Sequence, residues 1–299
     1  MLLWLVVIIL AYFFFSLSNL GDKLVLAGRA KPISYTFYVG LMNAPTLLLI
    51  PFIDIKVPGG LFIWIFADAV AFVLGMYFVY KAVEKFEVTE VMTVVGSVQP
   101  VFIFILSWFF LGQQKLVGLQ ILAFLLLLLG SFLISLEKNL KLSSGYLKFT
   151  LAAGLMFSID YVFSKVVYLA VPFITGFFWM KLLIFILVLP LLFFKKNRKD
   201  IFGKKNISIK KTGPLFLFAQ FSGGAANILQ SFAVYIVPVA LVPVASSLRG
   251  VQYVFLFLIT LFLTIFFPKI LKEGISKEII IRKIISIILI AGGLALLVL

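Results

Sequence analysis

Cysteine and histidine are both absent from this sequence. Their absence removes disulfides, thiolate nucleophiles, imidazole bases and the usual zinc and haem ligand sets. Charge is scarce too: 12% of residues are charged, against about 25% in an ordinary soluble domain. Acid is scarcer still, with 11 Asp and Glu facing 26 Lys and Arg. No Walker-type phosphate loop occurs, so ATP hydrolysis is not intrinsic. The formal charge of +15 comes without a groove-reading motif, and its bases lie between apolar runs, where they set topology or meet anionic lipid. Nucleic acid is therefore not an expected partner. Only Asp68 and Asp160 could form a carboxylate pair within the apolar runs, and neither sits in a catalytic signature. The expectation is no enzyme, no cofactor and no metal site.

What the chain does have is hydrocarbon. Apolar residues make up 64% of it, and the mean hydropathy is +1.22. In a bilayer core every backbone N–H and C=O must be paired internally, which leaves helices or a closed barrel. A barrel strand alternates apolar and polar residues over about ten positions. Leu119–Ile134 does not alternate, so the fold class is all-α, a polytopic membrane protein. Spanning needs roughly 20 apolar residues per helix. Polar breaks then predict ten spans, at 2–27, 33–53, 59–80, 89–111, 116–136, 145–169, 173–194, 213–235, 241–267 and 279–299. Met1–Ser18 has neither a basic start nor a small-residue cleavage motif and reads as a retained first helix.

The spans repeat. Residues 16–26, SLSNLGDKLVL, align with residues 158–168, SIDYVFSKVVY, at a shift of 142. Val98–Ile105, VQPVFIFI, aligns with Val251–Leu258, VQYVFLFL, at a shift of 153. The longer second shift matches the long connection at 195–212. Two units are expected, 1–139 and 140–299, each a five-helix repeat. Five is odd, so the second repeat is inverted relative to the first, an architecture that places substrate sites at the repeat interface.

Ser16–Asn19 through Lys23 in the first span and Tyr161–Lys165 in the sixth resemble the helix-end motifs of the EamA-type drug/metabolite transporter superfamily. Trp179-Met180-Lys181, Leu111-Gly112 before a Leu-rich fifth span with Gly130, and Ile290–Gly293 in the tenth add to the resemblance. Two features depart from the family pattern. Gln113 stands where an acid usually follows Leu-Gly, and the basic residue of the second helix is missing near Val39–Gly40. The resemblance implies a secondary active transporter, most often an exporter of amino acids or similar small polar metabolites, working by alternating access. A flippase for a lipid-linked sugar and a membrane scaffold are the alternatives. The implied partners are a small-molecule substrate, the lipid bilayer and a coupling proton or other ion, with the chain as monomer or homodimer.

Charge asymmetry bears on orientation in the cell membrane. Twenty of the 26 bases fall in the odd-numbered connections, and only Lys56 and Lys115 in even ones. The positive-inside rule puts the odd connections in the cytoplasm and both termini outside. The family resemblance implies both termini in the cytoplasm.

Polar residues within spans are costly and mark interior faces or water paths. Tyr12, Ser16, Asn19 and Lys23 share one face of the first span. Gln220, Gly223, Gly224, Asn227 and Gln230 do so in the eighth, although Gly223 and Gly224 also suit close helix packing. Spans five and ten carry little of this kind and are expected at the periphery. The expected substrate-binding set is Asn19, Asp68, Gln99, Tyr161, Trp179, Asn227, Gln230, Arg249 and Gln252. The expected gating or coupling set is Asp68, Lys23, Asp160, Lys165 and Lys181. Asp68 is either protonated or paired across helices with Arg249 or Lys181. Asp160 and Lys165 are roughly 140° apart around their helix and do not pair with each other. Lys23 and Lys165 either guard the two entrances or snorkel to the interface.

Overall fold

A computed structural model describes residues 2–26, 32–53, 56, 59–83, 86, 88–112, 116, 118–135, 144–202, 209–267 and 277–298. Its helices, in chain order, are α1 (Leu3–Leu26), α2 (Pro32–Leu41), α3 (Phe62–Val83), α4 (Val88–Phe110), α5 (Leu119–Ser135), α6 (Ser144–Ala170), α7 (Phe173–Val188), α8 (Lys195–Phe202), α9 (Ile209–Ile236), α10 (Val242–Ser247), α11 (Arg249–Phe266) and α12 (Lys277–Val298). No strand occurs among the described residues. Among the described residues, seven helical segments are long and apolar enough to cross a membrane: Leu3–Gly21, Ile33–Phe52, Gly59–Val83, Leu147–Ala170, Phe173–Phe193, Val239–Phe266 and Glu278–Val298. Val94–Phe110 and Leu119–Ile134 are shorter apolar helices. The expected eighth span lies in α9, a 28-residue helix. Gln220, Gly223, Gly224, Asn227 and Gln230 dilute the apolar character of α9.

The bundle is built from antiparallel pairs whose numbering runs in opposite directions. The most extensive are α1 on α9, α3 on α6 and α5 on α12, with α4 also lying along α6. Without a solvent drive between helices in lipid, close approach depends on small side chains. Gly21 shows this at the α1–α9 contact, because a Cβ there would come 2.7 Å from the Cβ of Ala219. Gly223 meets the Ser18 hydroxyl in the same interface, while Gly224 faces open space.

Among the described residues, three spans change helix type or break part-way along their length. After α2 the chain continues as a 3-10 helix, Ala44–Phe52, containing Pro51 and with proline in its first turn. Proline lacks the N–H that would hold the preceding turn. Asn43 Nδ2 takes up the carbonyls of Val39 and Gly40, each at 3.1 Å. After α7 a second 3-10 segment, Leu189–Phe193, also has proline in its first turn. The third interruption separates α10 from α11 at Leu248 and bears directly on the interior site. The long connection expected at 195–212 contains α8, a short helix that sequence hydropathy does not reveal because four of its eight residues are basic.

Candidate functional site

Arg249 opens α11, immediately after the interruption at Leu248. There the backbone shifts to a tighter turn, with the Val251 amide donating to Leu248 O at 2.9 Å. The local ladder is disturbed, and two side chains from the other half of the chain fill in. The Tyr12 hydroxyl of α1 donates to Ala245 O at 3.2 Å, and the Ser131 hydroxyl of α5 donates to Ser247 O at 2.9 Å. Interrupted backbone within a membrane protein is tolerated where such partners re-satisfy it. α5, expected at the periphery, thus reaches the interior through Ser131.

From this break Arg249 extends toward α4, where its guanidinium donates to the side-chain oxygen of Gln99. Gln99 is buried and its amide nitrogen donates to Phe157 O at 3.2 Å. Ser158 in turn donates to Gln99 O at 3.1 Å. Tyr253, one turn further along α11, donates its hydroxyl to Met92 O at 2.8 Å. Tyr12, Tyr161 and Tyr253 all lie within electrostatic range of Arg249.

The acidic side of the same region comes from α3 and α6. Asp68 is 1% exposed and accepts a hydrogen bond from the Ser164 hydroxyl at 2.8 Å. Asp160, one turn before Ser164, lies within electrostatic range of Asp68, and likewise of Lys181 and Arg249. Lys181 of α7 is buried, with Nζ 5.3 Å from the Phe72 ring centroid and 5.5 Å from that of Phe177. Aromatic faces of this kind hold a desolvated cation through the ring quadrupole. Two acids and two bases therefore share one interior region. Among the described residues, none of the four makes a direct acid–base ion pair there. Lys181 is near Asp68, whose carboxylate accepts from Ser164 instead.

Among the described residues, buried polar atoms without a hydrogen-bond partner include Tyr161 Oη, Trp179 Nε1 and Gln252 Oε1. An unsatisfied buried polar group costs about 1–3 kcal/mol, and in a native structure each such group needs an explanation. These three were among the residues expected to bind substrate.

Other expected site residues fall elsewhere. Lys165 is buried among the described residues. Its ammonium donates to the carbonyls of Val234, Tyr235 and Val237 at 3.0, 3.0 and 2.6 Å. Those oxygens end α9, so Lys165 ties the end of α6 to the end of α9, where the helix dipole is negative. Asn19, Asn227 and Gln230 are half-buried and make no hydrogen bond among the described residues. The side chain of Lys23 lies outside the described residues. Sequence reasoning passed over Ser164, Phe72, Phe177 and Gly96. Ser164 and Phe72 each lie four residues beyond an interior acid, and Phe177 lies four before Lys181, so helical spacing was their available signal.

Comparison with known proteins agrees with this architecture. The chain is similar to a crystallised protein at 17% identity, with a TM-score of 0.67, over 97% of this chain and 94% of the other. That likeness concerns the fold. No curated protein matches. The match to a family model, for the EamA-like transporter family, runs over residues 2–136. Helices suited to crossing a bilayer occur throughout the chain, and over residues 2–136 it is similar to the EamA-like transporter family.

Proposed function

We propose that this chain is a secondary transporter that exports a small zwitterionic metabolite, an amino acid being the simplest case, by alternating access between two inverted five-helix repeats, 1–139 and 140–299. The observation that carries the reading is the unpaired charge set. Asp68 and Asp160 lie within electrostatic range of Lys181, and Asp160 of Arg249, while Tyr161 Oη and Gln252 Oε1 have no partner. An ammonium group satisfies the acids and donates to Gln252 Oε1, and a carboxylate satisfies the bases and accepts from Tyr161 Oη. Arg presents a fork suited to carboxylate, and the broken helix beside it resembles the discontinuous helices that bind substrates in other transporters.

Packing supports the repeat. Exchanging α1 with α6, α2 with α7, α3 with α9, α4 with α10–α11 and α5 with α12 converts the α1–α9 interface into α6–α3. It converts α4–α6 into α11–α1 and returns α5–α12, α2–α7 and α4–α10 to themselves, and all of these are contacts in the bundle. Gln99 and Gln252 occupy equivalent positions under this exchange, at the shift of 153 found in the sequence.

The test is thermal stabilisation of the purified chain by amino acids, nucleotide-sugars and organic cations. A ligand of the folded state stabilises by RT ln(1 + [L]/Kd). Stabilisation by zwitterions, lost in both Arg249→Ala and Asp160→Asn, is the expected result. Stabilisation by organic cations alone, or by zwitterions with undiminished effect in both variants, overturns this assignment.

A further inference from the structure

α8 joins the end of the α7 span to the start of the α2 span on one face of the bundle. At its beginning it follows Phe193 and Phe194, 83% and 64% exposed. At its end it is fastened to α2, with the Ser34 hydroxyl donating to Asp200 O at 2.6 Å and the Tyr38 hydroxyl to Ile201 O at 3.1 Å. Ile201 is buried against Phe37 and Val188. Both ends of this helix are therefore tied to the α2 and α7 spans.

The residues of α8 divide by side. At about 100° per residue, Arg198, Phe202, Lys195, Lys199 and Lys196 follow one another around a single arc of about 160°, and Asn197 and Ile201 oppose it. All five residues of that arc are exposed, including Phe202 at 64%. A phenylalanine in the middle of four bases is unfavourable against water and well suited to a charged lipid surface. The ring enters the acyl boundary while the bases reach phosphate oxygens, as in interfacial amphipathic helices. Electrostatic attraction to an anionic leaflet adds to this for every base near the surface.

We infer that α8 is a docking surface for anionic phospholipid headgroups of the surrounding leaflet, with Lys195, Lys196, Arg198 and Lys199 contacting phosphate and Phe202 inserted between them. The hydrogen bonds from Ser34 and Tyr38 hold this face in place, so lipid bound there braces α2 and α7 together.

The experiment compares thermal unfolding of the full chain in phosphatidylcholine vesicles and in equimolar phosphatidylcholine and phosphatidylglycerol. The anionic lipid is expected to raise Tm by at least about 2 °C, the effect of a small fraction of the folding free energy in a chain of this size. Replacing all four bases with Gln removes that increase, with Tm in pure phosphatidylcholine unchanged, and Phe202→Ala reduces the increase while also lowering Tm in both lipids through the lost Phe37 ring contact. Should the four-base variant fail to fold, the native chain in high salt replaces it, where screening is expected to abolish the increase. Equal Tm in both lipids, an increase retained by the four-base variant, or an increase indifferent to salt overturns the assignment.

Discussion

Gly96 of α4 and Arg249 of α11 face each other, and the absence of a side chain at Gly96 is what seats the arginine. A Cβ at Gly96 would stand 3.1 Å from Arg249 Cδ and would collide with the Tyr253 hydroxyl. The two positions are also equivalent under the shift of 153 that aligns their spans. The interior is thus asymmetric: α11 contributes a cation and α4 contributes its space.

Gly96→Ala is expected to destabilise the chain by about 1–3 kcal/mol, the usual cost of overpacking. The collision falls on the Tyr253 hydroxyl, so Tyr253→Phe in the same chain is expected to recover part of the loss. Thermal unfolding of the two single variants and the double variant measures this coupling. Strict additivity of the two single effects would show that Gly96 and Tyr253 do not constrain one another.

Asp68 is the interior acid held by a hydroxyl, and it shares its surroundings with Asp160 and Lys181. On the hypothesis that it carries the coupling proton, Asp68→Asn abolishes uptake driven by a pH gradient and leaves equilibrium exchange of substrate intact. Transport assays in proteoliposomes, with and without the gradient, separate these outcomes. A gradient response equal to that of the native chain would refute the role.

Lys165 donates to three carbonyls at the end of α9. Lys165→Met keeps the aliphatic stem and removes all three donors. The expected loss is on the order of 2–4 kcal/mol, given about 1–3 kcal/mol for each buried acceptor left unsatisfied and partial relaxation. Denaturant unfolding measures it. An unchanged midpoint would mean that water reaches these oxygens and that Lys165 does not secure this end of the bundle.

Orientation follows from the bases on and around α8. On the positive-inside reading, a cysteine placed at Asn197 of this cysteine-free chain resists membrane-impermeant maleimide in intact cells and reacts after permeabilisation. Prompt labelling in intact cells would invert the topology.

Helical class and most span positions were legible because bilayer length and internal hydrogen bonding leave few alternatives, and α1, α3, α6 and α12 follow the hydropathy closely. The break at Leu248 was not legible. Val242–Ser247 and Arg249–Phe266 form one apolar run in sequence, and the interruption is visible only once Tyr12 and Ser131 are seen to supply hydrogen bonds from elsewhere. The candidate site divides in the same way. Asp68, Asp160, Lys181 and Arg249 stood out because charge is expensive within a span, and they do converge. Lys165 carries an equal charge, yet its partners are backbone carbonyls, which have no residue-type signature. Asn19, Asn227 and Gln230 share faces of their helices with other polar residues, but periodicity does not say which side chains meet.

The interruption between α10 and α11 also has a consequence for the order of assembly. Its two acceptors, Ala245 O and Ser247 O, receive donors from α1 and α5, both made earlier during synthesis. A growing chain emerges amino-terminus first, so those donors are already in the membrane when the broken helix arrives. The first half then serves as an intramolecular template, and a second half expressed alone must leave both oxygens to water or unpaired in lipid. Supplying residues 1–139 as a separate chain is expected to restore recovery of the isolated second half, and Tyr12→Phe with Ser131→Ala in that helper is expected to weaken the rescue.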